Sequence, residues 1–281
     1  MSIIIEFLKF ILFSLLIVAI SKYILVKLLR KLAETLNLKP KTVGNIAGIA
    51  TSIPELLTAS FSAMTGLIST SIFNIMSSNI INLIQYIISV ILSKNRKLLQ
   101  NKALKIDLLL IVITIIIPIV MMTFNIETNV AIAPIFILLF IFFYYINHNT
   151  HNLYLNKETN IIVGEIEKEQ KWLKGKKRKT ILYAFLLFLT AILLYFVGNI
   201  LSDVLNNLCK KLLIPEMVIG ILLGFITSIP ELITFFEAQK HHKDENSHLG
   251  LIEATNNLFS SNVLNLFIIQ SITIIIFNIY N

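Results

Sequence analysis

The chain has 281 residues, of which 56 % are hydrophobic and 14 % charged, with a formal net charge of +8. Apolar stretches recur along its whole length, each approaching the roughly 20 residues a helix needs to cross a bilayer core. This excludes a water-soluble domain and gives an all-α, polytopic membrane protein. Spans are predicted near 3–21, 43–65, 68–92, 106–124, 129–147, 181–203, 214–237 and 251–277, eight in all. The first is read as a span and not as a signal peptide. It carries Glu6 and Lys9, lacks a small-residue cleavage site, and outruns an h-region of about 7–15 residues.

The basic excess fixes orientation and does not call for nucleic acid as a partner. With the 148–180 loop placed in the cytoplasm, 21 of the 24 Lys and Arg residues fall on that side, as the positive-inside rule requires. Both termini are then outside. The expected setting is the cytoplasmic (inner) membrane of a bacterium, with the lipid bilayer as the surrounding partner. Cys209 is the single cysteine, so there is no disulfide framework or thiolate metal site, and it is expected to be a small buried hydrophobe.

An internal repeat organises the chain. "TSIPEL" occurs at 51–56 and again at 227–232, each time inside an apolar run. One span later, Asn74-Ile75-Met76-Ser77-Ser78-Asn79-Ile80-Ile81-Asn82-Leu83 matches Asn257-Leu258-Phe259-Ser260-Ser261-Asn262-Val263-Leu264-Asn265-Leu266, with the shared pattern N-x-x-S-S-N-x-x-N-L. The two copies sit in the second and seventh spans, so they cross the membrane in opposite directions. That is an inverted-topology repeat, a pattern of secondary transporters. The expected divisions are a first repeat of five spans at 1–147 with its motif at 44–83, the basic loop at 148–180, and a second repeat of three spans at 181–281 with its motif at 220–266.

Proline has no N–H for the carbonyl four residues back. Pro54 therefore frees the carbonyl of Ala50, and Pro230 that of Ile226. In lipid a freed carbonyl must find a partner, and a cation is a good one. Thr51, Ser52 and Glu55 lie close on one broken turn, and Thr227, Ser228 and Glu231 on the other. Asn74, Ser78 and Asn82 share one face of the following span, as do Asn257, Ser261 and Asn265. Together these groups offer carboxylate, hydroxyl, amide and backbone oxygens without His or Cys. Such a set suits a hard cation, Ca2+ or Na+. An ionisable residue at membrane depth is costly and marks function. An empty site would leave two uncompensated carboxylates at the midplane, which favours antiport over uniport.

The paired T-S-x-P-E and S-N-x-x-N motifs, in opposite orientation, resemble the two alpha repeats of the sodium/calcium exchanger family within the cation/calcium antiporter superfamily. The resemblance runs from the first span to about Ile276. It implies Thr51, Ser52, Glu55, Ser78 and Asn82 as ion ligands in the first half, and Thr227, Ser228, Glu231 and Ser261 in the second; Asn265 completes the candidate set. It implies exchange of Ca2+ for Na+ by alternating access, with no enzymatic activity and no cofactor. Departures are visible. Ala50 and Ile226 stand where the family has glycine before Thr-Ser, and Ser77 and Ser260 replace glycine before Ser-Asn. Asn265 stands where many relatives carry an acid. The last two helices of the second repeat are expected to be missing: either a partner subunit or a second copy supplies them, or the four-helix core suffices, or the protein is a degenerate remnant. Two other functions stay open: cation/proton exchange, and cation binding without transport.

The remaining polar residues receive plainer expectations. Glu237 and Glu253 are expected to snorkel at the cytoplasmic ends of their spans, with Asp107, Asp203 and Glu216 at interfaces. His241, His242, Asp244, Glu245 and His248 read as a solvated loop, and Trp172 as an interfacial anchor. The aromatic-rich run 135–146 reads as a lipid-facing or packing surface.

Overall fold

The computed structural model describes residues 3–36, 38–95, 99–124, 129–154, 176–242 and 247–281. Among the described residues all regular structure is helical. Eight helical segments are long and apolar enough to cross a membrane, as expected where backbone groups have no water to bond. Most of the 148–180 loop, with Trp172, Asp244 and Glu245, lies outside the described residues, as does the side chain of Cys209.

The first span is α1 (Ile3–Ile20), continued through a π turn (Ser21–Leu25) into α2 (Val26–Leu36). The second is split into α3 (Pro40–Thr51) and α4 (Ile53–Met64). Then follow α5 (Ile68–Leu92), α6 (Lys102–Thr123), α7 (Ile132–Tyr154) and α8 (Lys176–Leu212). The seventh span is split again, into α9 (Glu216–Thr227) and α10 (Ile229–His241). The last comprises α11 (Ser247–Val263), a π turn (Leu264–Ile269) and α12 (Gln270–Tyr280). At 37 residues α8 is the longest of the described helices, about 55 Å at 1.5 Å per residue.

Local chemistry explains the breaks. Pro54 and Pro230 occupy the first turns of α4 and α10, where a missing N–H costs nothing within the new helix. Ser52 and Ser228 form the joints, at φ −80, ψ 0 and φ −79, ψ −4. Elsewhere Pro40 opens α3, and the Asn101 side chain caps α6 by accepting from the Ala103 N–H at 2.8 Å.

The two half-spans pack symmetrically. The α3 helix lies along α11 and α9 along α5, each crossing a stripe of glycines. A Cβ on Gly48 would stand 2.5 Å from the carbonyl oxygen of Asn257, and one on Gly220 would stand 2.6 Å from that of Thr70. Gly44 and Gly224 complete the two G-x-x-x-G pairs, and each would also meet backbone. Such stripes let helix backbones touch. Gly48→Ala is therefore expected to cost about 1–3 kcal/mol through overpacking, read as a lower thermal unfolding temperature in detergent. Gly198→Ala, where the nearest atom is the Leu57 side chain at 3.3 Å, is the mild comparison. Equal effects of the two would refute the close-approach argument.

Around this centre, α1 and α2 pack on α8 through an apolar seam that includes Ile17, Leu25, Leu201 and Leu205. Helices α6 and α7 cover α11 and the second π turn. There Phe136 and Phe143 meet Phe267 edge-on, at 5.6 and 5.0 Å between ring centroids. The aromatic run of α7 thus serves both readings: these rings pack, while Leu138 and Phe142 stay exposed to the lipid side.

Several acids behave differently from the interfacial expectation. Asp107 is fully buried between His151 Nε2 at 2.6 Å and the Asn147 amide at 2.8 Å. Glu253 is buried too, with Arg30 at 2.6 Å on one oxygen and His242 at 3.2 Å on the other. Glu216 accepts from the backbone N–H groups of Ser69 and Thr70, at 3.1 and 3.4 Å, and so serves the orphan donors at the start of α5. Buried charges need such partners. The partners come from distant segments, which a local reading does not see. Asp203 is exposed and Glu237 half-buried. Of the histidines in the 240–248 loop, His242 is buried while His241 is exposed.

Candidate cation site

The two broken joints face each other at the centre of the bundle. Thr51, Ser52, Glu55, Ser78, Asn82, Thr227, Ser228, Glu231, Ser261 and Asn265 are all brought together there, and none retains accessible surface (0 % each). Glu55 and Glu231 stand in the first turns of α4 and α10, where the helix dipole favours negative charge.

Hydrogen bonds tie each carboxylate to its own repeat and then to the other. Ser78 Oγ donates to Glu55 Oε1 at 2.8 Å and lies 2.7 Å from Ser228 Oγ. In mirror fashion Ser261 Oγ donates to Glu231 Oε1 at 3.1 Å and lies 2.9 Å from Ser52 Oγ. Thr51 hydrogen-bonds the Ala47 carbonyl at 2.9 Å and neighbours Glu231. Thr227 bonds the Leu223 carbonyl at 3.0 Å and neighbours Glu55.

An amide lattice closes the centre. Asn79 Nδ2 donates to the Asn262 carbonyl at 3.1 Å, and Asn262 Nδ2 returns a bond to the Asn79 carbonyl at 3.0 Å. Asn82 Nδ2 reaches Asn262 Oδ1 at 3.2 Å, and Asn265 Nδ2 reaches Asn79 Oδ1 at 3.2 Å. Asn74 donates to Thr58 and Asn257 to Thr234. One asymmetry stands out: Asn265 lies in the π turn, whereas Asn82 lies in regular helix. Such turns recur at functional sites.

After these bonds, six buried side-chain oxygens of the network accept nothing: Glu55 Oε2 and Glu231 Oε2, Asn82 Oδ1 and Asn265 Oδ1, Asn74 Oδ1 and Asn257 Oδ1. They fall into three repeat-related pairs. Buried acceptors without donors are costly and rare. Among the described residues no group of three His, Cys, Asp or Glu side chains is placed to hold a metal, so oxygen from carboxylate, amide and hydroxyl is what this centre offers.

A comparison with protein families matches residues 6–149 and 182–281 to the family described as Sodium/calcium exchanger protein. The chain belongs to the sodium/calcium exchanger family. Solved structures of the sodium-calcium exchanger NCX_Mj share its fold. The form soaked with 2.5 mM Na+ and 0.1 mM Ca2+ aligns with TM-score 0.56 at 19 % identity, covering 98 % of this chain and 83 % of that one. The form soaked with 10 mM Na+ and no Ca2+ aligns with TM-score 0.55 at 20 % identity, covering 98 % and 84 %. No curated protein sequence matches this chain significantly. The exchanger family membership and the inverted repeats make this an integral, multi-pass membrane protein.

The sequence motifs located every member of the candidate set. Missing from that reading were roles for Asn79 and Asn262, although both lie in the quoted motif, and for Thr58 and Thr234, each one turn beyond its glutamate. The repeated G-x-x-x-G at 44–48 and 220–224 was the overlooked signal: backbone contact is carried there, and not at the positions before Thr-Ser where glycine is absent.

Proposed function

We propose that this exchanger-family protein is a secondary active antiporter that moves Ca2+ against Na+ by alternating access. Glu55 and Glu231 are the central charged ligands. Thr51, Ser52, Ser78, Asn82, Thr227, Ser228, Ser261 and Asn265 complete the shells. The observation that carries this reading is the set of six unpartnered, buried oxygens in repeat-related pairs. Ca2+ takes about six to eight oxygen ligands, and a centre built on hydroxyl and amide dipoles also suits Na+. The charge distribution of the sequence supports both termini outside. The 148–180 loop divides the two repeats.

The test is calcium-45 uptake into proteoliposomes loaded with sodium, beside identical vesicles loaded with potassium or choline. Uptake that needs the outward sodium gradient is expected. Uptake driven by a pH gradient without sodium would replace the proposal with cation/proton exchange. Calcium binding without flux under either gradient would make the chain a binder and not a transporter.

A further inference from the structure

We propose that Glu253 forms a second cation site at the cytoplasmic mouth of the central one, and that the Arg30 guanidinium, seated on it in this form, is its built-in competitor. The proposal rests on the exchange reading above and adds where an ion arriving from the cytoplasm first binds. The register of α11 is the first observation behind it. Glu253, Asn257, Ser261 and Asn265 are spaced by four, so the polar stripe of the central site runs one turn farther toward the basic face of the bundle and ends there in a carboxylate. That turn is about 6 Å. The repeat-related stripe of α5 ends differently. Thr70 stands at the position matching Glu253, and its hydroxyl donates to the Glu216 carbonyl at 3.3 Å.

The second observation is a cavity between α2, α3, α10 and α11. Five apolar residues, Val43 and Ala47 among them, and three polar ones, Arg30, Glu253 and Thr234, line it. It has room for about one water molecule. Its lining reaches the central network. Thr234 Oγ1 donates to the Glu231 carbonyl at 2.8 Å and accepts from the Asn257 amide, while the Ala47 carbonyl accepts from Thr51. Asn257 Oδ1 is buried and accepts no hydrogen bond.

The third observation is how the charges are held. Arg30 lies 2.6 Å from one oxygen of Glu253 and His242 Nε2 lies 3.2 Å from the other. The Glu253 side chain keeps 4 % of its surface and that of Arg30 keeps 21 %. The guanidinium has a way out to solvent that the carboxylate lacks. Once it leaves, a buried carboxylate without its positive partner is expensive unless another cation takes the place. Glu253 therefore holds Arg30 when the mouth is closed and Ca2+ or Na+ when it is open. The ion keeps part of its water there, because Glu253, Thr234 and Asn257 offer fewer oxygens than the roughly six to eight that Ca2+ takes. The next step along the stripe brings it to Asn257 and the centre.

The two residues of the pair give opposite predictions, which a purely structural pair would not. Calcium-45 flux in everted and in right-side-out membrane vesicles gives the KM for calcium at each face. Glu253→Gln is expected to raise the ratio of cytoplasmic to external KM about tenfold, the scale on which a charged cleft concentrates ions. Arg30→Gln removes the competitor and is expected to lower that ratio several-fold. The double variant removes both charges of the pair and should follow Glu253→Gln. An unchanged ratio, or the same sign for both single variants, overturns the inference and leaves exchange in place. Absence of sodium-driven flux in the wild-type protein defeats the exchange reading instead.

A binding measurement needs neither substitution. Val43→Cys, in a chain whose single cysteine is removed as Cys209→Ser, is labelled from the cytoplasmic face with a membrane-impermeant thiol reagent. Millimolar calcium on that side is expected to slow labelling roughly fivefold or more, as for a site well filled at that concentration. The protection is expected to survive addition of Glu231→Gln, which disables the centre. Protection that vanishes with Glu231→Gln, no protection, or no labelling at all would each overturn the second site.

Discussion

Glu55→Gln and Glu231→Gln are each expected to lower sodium-driven calcium flux by at least about a hundredfold. The amide keeps the shape of the side chain and an oxygen for Ser78 or Ser261, but it removes half of the countercharge in the centre. A loss of about 3 kcal/mol, typical when a charged partner is withdrawn from a buried cation, corresponds to that factor. The same substitutions are expected to raise thermal stability in detergent without calcium or sodium. They replace one of two fully buried carboxylates by a neutral group, and burying uncompensated charge is expensive. The pairing of lost flux with gained stability separates a ligand from a structural residue. Flux near wild type in either variant would remove that glutamate from the proposed site. Lost flux with lost stability would reassign it to the fold.

Asp107→Ala is expected to act in the opposite sense, destabilising the protein by about 3–5 kcal/mol, the usual cost of breaking a buried pair. It strands the His151 ring at the far side of a 2.6 Å contact and leaves the Asn147 amide with a single acceptor, Asn256 Oδ1 at 3.3 Å. These residues tie α6 to α7 and α7 to α11, one residue before Asn257 in the central network. Thermal unfolding in detergent measures the effect. His151→Ala should lose a comparable amount, and the double variant less than the sum, because the two share one interaction. Wild-type stability of Asp107→Ala would show that the pair does not hold the helices together.

The contrast between these predictions reflects what a sequence exposes to inspection. The candidate site was legible because it was written twice. Proline and glutamate interrupt an apolar run at 54–55 and again at 230–231, and the serine and asparagine spacing that follows is repeated with its register kept. Inverted topology follows from counting spans between the copies. The bundle class follows from apolar length alone. Asp107 and Glu253 were misread for a physical reason: their partners lie on other helices, and Arg30 and Glu253 are separated by 223 positions. A single acid near the end of an apolar run looks the same whether it snorkels or is paired. The glycine contacts were readable in principle, as two G-x-x-x-G stripes at corresponding places. Their partner, backbone carbonyls of another helix, has no signature in composition. The π turn holding Asn265 is a matter of one extra residue in a helical turn, which apolar periodicity over so short a stretch does not resolve.

The length of α8 has a bearing on the membrane itself. Its 37 residues extend about 55 Å, while a bilayer's hydrocarbon slab is about 30 Å thick. A rod so much longer than the slab must lean within it or emerge from it. At its start, Arg178 and Lys179 are exposed and anchor that end among headgroups. Because the rod is seamed along α1 and α2, whatever lean it takes is shared with those helices. Acyl-chain length is thereby expected to set the tilt of all three together.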